Sequence, residues 1–156
     1  HDVACDALLN TAETLISEGR YRDAIEQAHR AIDLMPESAR AHEILGYAQS
    51  LQGDTDDAVR NLAKAIELDP SAKQAISRLA RTVFFQGDVA RSIELLKKLE
   101  RLDPDYPTLH QQFAAAYTAT GQYDLAWTHV QKARELGENV HQGVLDQLIQ
   151  ASGRPQ

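Results

Sequence analysis

The chain has 156 residues, 43% of them hydrophobic and 25% charged, which is the length and balance of one ordinary folded domain. Its formal net charge of −7 argues against sequence-independent binding to nucleic acid, which needs broad basic patches. No stretch approaches the ~20 apolar residues of a membrane span, and the single cysteine, Cys5, excludes an internal disulfide.

Taken in chain order, the predicted elements copy one another. Residues 5–38 read as two helices broken at Gly19. The second carries Ala24, Ala28 and Ala31 at helical spacing and stops at Pro36. Residues 39–72 break at Gly53 and stop at Pro70, with Ala58, Leu62 and Ala65 in the second helix. In residues 73–106 the first helix carries Ile76, Leu79, Ala80 and Val83, the spacing of one apolar face. Ser71 with Gln74 reads as its capping box. Gly87 ends it, because glycine tolerates the left-handed C-cap. Asp88 caps a second helix with the stripe Ser92, Ile93, Leu96 and Leu99, and Pro104 follows. Residues 107–140 break at Gly121 and carry Ala126, Val130 and Ala133, with Glu138 where the proline would stand. Past Gly137, Asn139 is the predicted N-cap of a ninth helix over about 140–151, with the stripe Val144, Leu145, Leu148 and Ile149. The tail from Ser152 is expected to fray.

These units repeat with a period of 34 residues: Pro36, Pro70 and Pro104 form one column, and Gly19, Gly53, Gly87 and Gly121 another. Small residues recur at Ala12, Gly46, Ala80 and Ala114. A fixed period of this length marks stacked helical repeats. The pattern resembles the tetratricopeptide repeat (TPR), and the resemblance covers nearly the whole chain. It implies an all-α, right-handed α-solenoid of four helix-turn-helix hairpins (5–38, 39–72, 73–106 and 107–140) with a C-terminal capping helix, one domain over 1–156. The chain departs from the family where Leu8, His42, Ile76 and His110 replace a frequent Trp. Gln49 stands where an apolar residue is usual, which predicts a looser core in the second repeat.

Residues able to do chemistry are present but unassembled in sequence. Six histidines do not cluster. His42-Glu43 begins like a zinc-protease helix, but Gly46 stands where the second His belongs. Asp54, Asp56 and Asp57 sit at a helix start, where they cap free N–H groups and complement the dipole. Trp127 shares a column with Ile25, Val59 and Ile93 and reads as core. No metal, cofactor or catalytic group is expected, and the chain is read as a non-enzyme.

The residues off the core stripe carry the functional reading. At 100° per residue, Gln74, Arg78, Arg81 and Phe85 share the sector opposite that stripe, and Arg40, Ile44, Tyr47 and Leu51 share it one repeat earlier, with Glu43 beside them. The resemblance implies that this side lines a concave groove. It carries Arg40, Glu43, Ile44, Tyr47, Leu51, Gln74, Arg78, Arg81, Phe84, Phe85, Gln111 and Gln112 into the partner-binding positions. Arginines among aromatics suit a protein segment that is acidic and apolar. The competing reading packs the aromatics between helices and pairs the arginines with Glu43. Chaperone-binding members use a Lys, Asn, Asn, Lys, Arg set where this chain has Leu9, Glu13, Ile44, Gln74 and Arg78; only the last fits, which argues against chaperone-tail recognition. The expected function is that of a protein–protein adaptor. The alternatives are the interaction arm of a larger enzyme, of glycosyl- or sulfotransferase type, and an assembly factor or chaperone for secretion, pilus or envelope machinery. Self-association stays open. The chain begins at His1 rather than Met, as an excised or processed piece would; the compartment is not legible.

Overall fold

The structure, a computed structural model, describes residues 2–154. Among them it contains nine α-helices and no strand: α1 (Val3–Ser17), α2 (Tyr21–Leu34), α3 (Ala39–Gln52), α4 (Thr55–Leu68), α5 (Lys73–Phe85), α6 (Val89–Leu102), α7 (Leu109–Ala119), α8 (Tyr123–Glu135) and α9 (Gln142–Ser152). The expected all-α helical-hairpin architecture holds. No helix among the described residues is long and apolar enough to cross a membrane. The helices pack as two compact units, His1–Thr82 and Val83–Gln156.

In the first unit α1 packs on α2, α3 on α4, and α3 also touches α1 and α2. Close approach follows from the small residues: Ala12, Ala24, Ala28, Ala31, Ala58 and Ala65 are all fully buried. Gly46 is the tightest point. A Cβ there would lie 2.8 Å from Leu62 Cγ and 3.1 Å from the backbone oxygen of Ala58. Gly53 turns the chain from α3 into α4 at φ 95°, a left-handed value that only glycine adopts without strain. The second repeat is not loose at Gln49. That side chain is buried, and its Oε1 accepts from Asn61 Nδ2 at 2.8 Å. His42 ties the preceding loop to α3, its Nε2–H donating to the Pro36 carbonyl at 2.8 Å.

Three caps differ from expectation. The Ser71 hydroxyl donates to the Asp69 carboxylate at 2.8 Å rather than boxing with Gln74, and α5 starts two residues later. Asp54 stands at the start of α4, but its carboxylate accepts from Gln52 Nε2 at 2.9 Å and makes no backbone cap. The last helix is capped by His141, whose Nδ1 accepts from the Gly143 N–H at 3.0 Å, not by Asn139. Asp88 does cap α6, accepting from the Arg91 N–H.

In the second unit α7 packs on α6 and α8, and α9 lies across α7 and α8 through buried Leu145 and Leu148. Trp127 is half-buried, and its indole N–H donates to Ser152 Oγ at 3.0 Å, fastening the end of α9 to α8.

Candidate partner-binding face

Two arginines of the first unit are held by side chains one repeat away. Arg40, on α3, donates to Asn10 Oδ1 at 2.8 Å and to Glu13 Oε1 at 3.2 Å, with Asp6 at 3.7 Å. Arg78, on α5, donates to Glu43 Oε1 at 2.6 Å. Its guanidinium lies over the Tyr47 ring, 3.6 Å from the centroid. Glu43 and Tyr47 are four residues apart on α3, so both reach the same side of Arg78. Arg78 therefore has a carboxylate on its edge and an aromatic plate on its face, a strong charge-assisted and cation–π geometry.

Burial sets the electrostatics. Glu43 is 7% exposed, and desolvation pushes its pKa up more than the Arg78 charge pulls it down. Arg78 is half-buried, with 27% of its side chain exposed. Around it, Leu51, Gln74 and Arg81 are exposed, and Tyr47 is half-buried. Ile44 departs from its expected place. It is 1% exposed, because α3 has neighbours on two sides and buries more than a single stripe. Glu43 likewise offers little surface of its own and is paired with Arg78.

The remaining expected residues lie in the second unit. Phe85 is 73% exposed and meets Phe84 edge-on, with ring centroids 5.4 Å apart. Gln111 and Gln112 are half-buried at the start of α7. Gln111 Nε2 donates to Glu138 Oε2 at 3.4 Å, and Gln112 Nε2 to Thr108 Oγ1 at 3.3 Å. Glu138 also accepts the Thr108 N–H at 2.9 Å, at a residue held in the left-handed region with φ 72°. The carboxylate that replaces the fourth proline thus holds the entry to α7.

One constellation escaped the sequence reading. His110 on α7 and His129 on α8 do come together, Nδ1 to Nδ1 at 2.9 Å. His110 Nε2–H donates to the Pro104 carbonyl at 2.9 Å, so its Nδ1 accepts from His129. Phe113 stacks on His129 at 4.4 Å. Burial, then the neighbouring His110 and Lys132, lowers the His129 pKa to about 4. The signal was in the period: two repeats earlier His42 likewise meets the Pro36 carbonyl through Nε2, with Asn61 in the His129 column near its Nδ1. No group of three or more metal-ligating side chains occurs among the described residues. Cys5 is buried, and desolvation raises its pKa, which is the opposite of an activated thiolate.

Comparison with known proteins fixes the family. The tetratricopeptide repeat model matches residues 9–53 and 52–107. The chain belongs to the TPR family. Among solved structures it is similar to MamA, with 28% identity and a TM-score of 0.78 over 85% of this chain and 78% of that one. The thermophilic TPR protein TTC0263 of Thermus thermophilus shares its fold, with 23% identity and a TM-score of 0.76 over 95% of this chain and 81% of that one. So does the first TPR of Spaghetti (RPAP3), solved with the HSP90 peptide SRMEEVD, with 16% identity and a TM-score of 0.72 over 75% of this chain and 93% of that one. No curated protein gives a significant sequence match. The TPR fold is that of a protein–protein interaction module.

Proposed function

We propose that this TPR chain is a non-catalytic adaptor that docks a segment of a partner protein on the first-helix face of its first unit. The supporting observation is the Arg78 guanidinium, seated on Tyr47 and braced by Glu43 on a side chain that stays 27% exposed. A braced cation loses little side-chain entropy when a carboxylate arrives, and arginine beside tyrosine is the composition of binding hot spots. Exposed Leu51 supplies an apolar anchor on the same face. The segment would be acidic and apolar, with charge setting the on-rate and Leu51 and Tyr47 the residence time.

The test is affinity capture from native lysate with wild type beside Arg78→Glu/Arg81→Glu, read by mass spectrometry. A protein held by the wild type and lost from the variant supports the reading; equal capture by both contradicts it.

A further inference from the structure

We propose that the outer face of α6 is a second docking surface, one that takes an acidic polypeptide segment. The helix buries Ser92, Leu96 and Leu99. At 100° per residue the opposite sector holds Arg91, Glu94, Lys97, Lys98 and Arg101, four cations against one carboxylate. The equivalent sector of α4 holds Arg60 and Lys64 against Asp56, Asp57 and Glu67. Those of α2 and α8 also carry more carboxylates than cations.

The inversion is column by column. Arg101 stands where the other repeats place Asp33, Glu67 and Glu135. Arg91 stands where two of them place Asp23 and Asp57. Pairing differs as well. On α4, Arg60 pairs with Asp57, and Lys64 with Glu67. Among the described residues Arg91, Lys97, Lys98 and Arg101 form no ion pair, and all but the half-buried Lys98 are exposed. Lys97 and Arg101 are four apart, a like-charge spacing that disfavours a helix by itself. On a chain of net charge −7, this helix face is the exception that a complementary ligand would stabilise.

The occupant follows from size and chemistry. The cations span the eleven positions 91–101, about 15 Å along the helix, which about five residues of extended chain cover. Arginine takes carboxylates bidentately and lysine as a point charge. A lipid surface is disfavoured because Leu96 and Leu99 of α6 are buried and Leu102, at its C-terminal end, is the large apolar side chain it leaves exposed, too little for an interfacial anchor. Long phosphate polymers would run past four cations onto an acidic protein. This surface is independent of the Arg78 face.

The probe is a fluorescein-labelled alternating Glu–Asp peptide, followed by anisotropy at about 20 mM NaCl, where the screening length exceeds the patch. Wild type is compared with Lys97→Glu/Lys98→Glu/Arg101→Glu, with the milder Lys97→Gln/Lys98→Gln/Arg101→Gln, and with Arg60→Glu/Lys64→Glu on α4. The expected result is a loss of at least about tenfold for the charge reversal, a smaller loss for the glutamine variant, and less than about twofold for the α4 variant. Equal losses on α4 and α6, no loss on α6, or no binding to wild type would overturn the proposal. Tighter α6-dependent binding of phosphatidylserine vesicles or of oligothymidylate would overturn the occupant.

Discussion

His110 and His129 face each other Nδ1 to Nδ1 at 2.9 Å, a contact that only one proton can bridge. If both rings are protonated, two N–H groups collide. His129 carries the depressed pKa, about 4 against an ordinary 6.5. The unfolded chain therefore binds a proton that the native chain refuses between these values. Stability from this pair is complete above about pH 6.5 and falls as the pH drops toward 4, by up to about 3 kcal/mol. Urea midpoints at pH 7.5 and 4.5 check it. His129→Asn, which copies Asn61, is expected to show a smaller acid shift than wild type; an identical shift would be inconsistent with this assignment.

Gly46→Ala is expected to destabilise by about 1–3 kcal/mol although alanine is the better helix former. The new Cβ meets backbone on α4 as well as the Leu62 side chain, so trimming Leu62 in a double variant recovers only part of the loss. Thermal melts of the single and double variants measure it. A more stable Gly46→Ala protein would mean that α3 and α4 are further apart than described.

Ala126→Arg is expected to unfold the α7–α8 hairpin, because Ala126 is fully buried where α8 meets its neighbours and an unpaired charge there has no partner. Hydrogen exchange would show protection lost across residues 109–135. Retained protection would contradict the helix register.

Much of this was legible because a repeat reports itself four times. The period located the hairpins, the buried alanines and the glycine turns. It did not locate the caps, since Ser71 and Asn139 had competitors, Asp69 and His141, whose side chains reach closer groups. Helical-wheel reasoning also failed at Ile44. A wheel assigns one wet side, whereas α3 has helices on two sides. The competing reading, which pairs the arginines with Glu43, is met at Arg78, whose guanidinium donates to Glu43 Oε1. The histidine pair was hidden because its members lie 19 residues apart on different helices; comparing columns two repeats apart would have exposed it.

Glu43→Gln is expected to change stability by less than about 1 kcal/mol, because the amide oxygen still accepts from Arg78 and a buried charge is removed. Arg78→Leu leaves the Glu43 carboxylate buried without its cation and costs about 2 kcal/mol, less than a fully buried pair since Arg78 is partly exposed. The pH linkage of Glu43 opposes that of His129: its raised folded pKa favours the native state as the pH falls. Denaturant titrations of both variants at neutral pH test the ordering, and a reversed order would contradict the bracing role given to Glu43.

Photo-crosslinking tests the central claim most directly, with a crosslinking residue at Leu51 on the proposed docking face or at Arg60 on the outer face of α4. A partner adduct that forms at Leu51, is absent at Arg60, and disappears when Arg78→Glu is added is the predicted result. Adducts at Arg60 but not at Leu51 would contradict it.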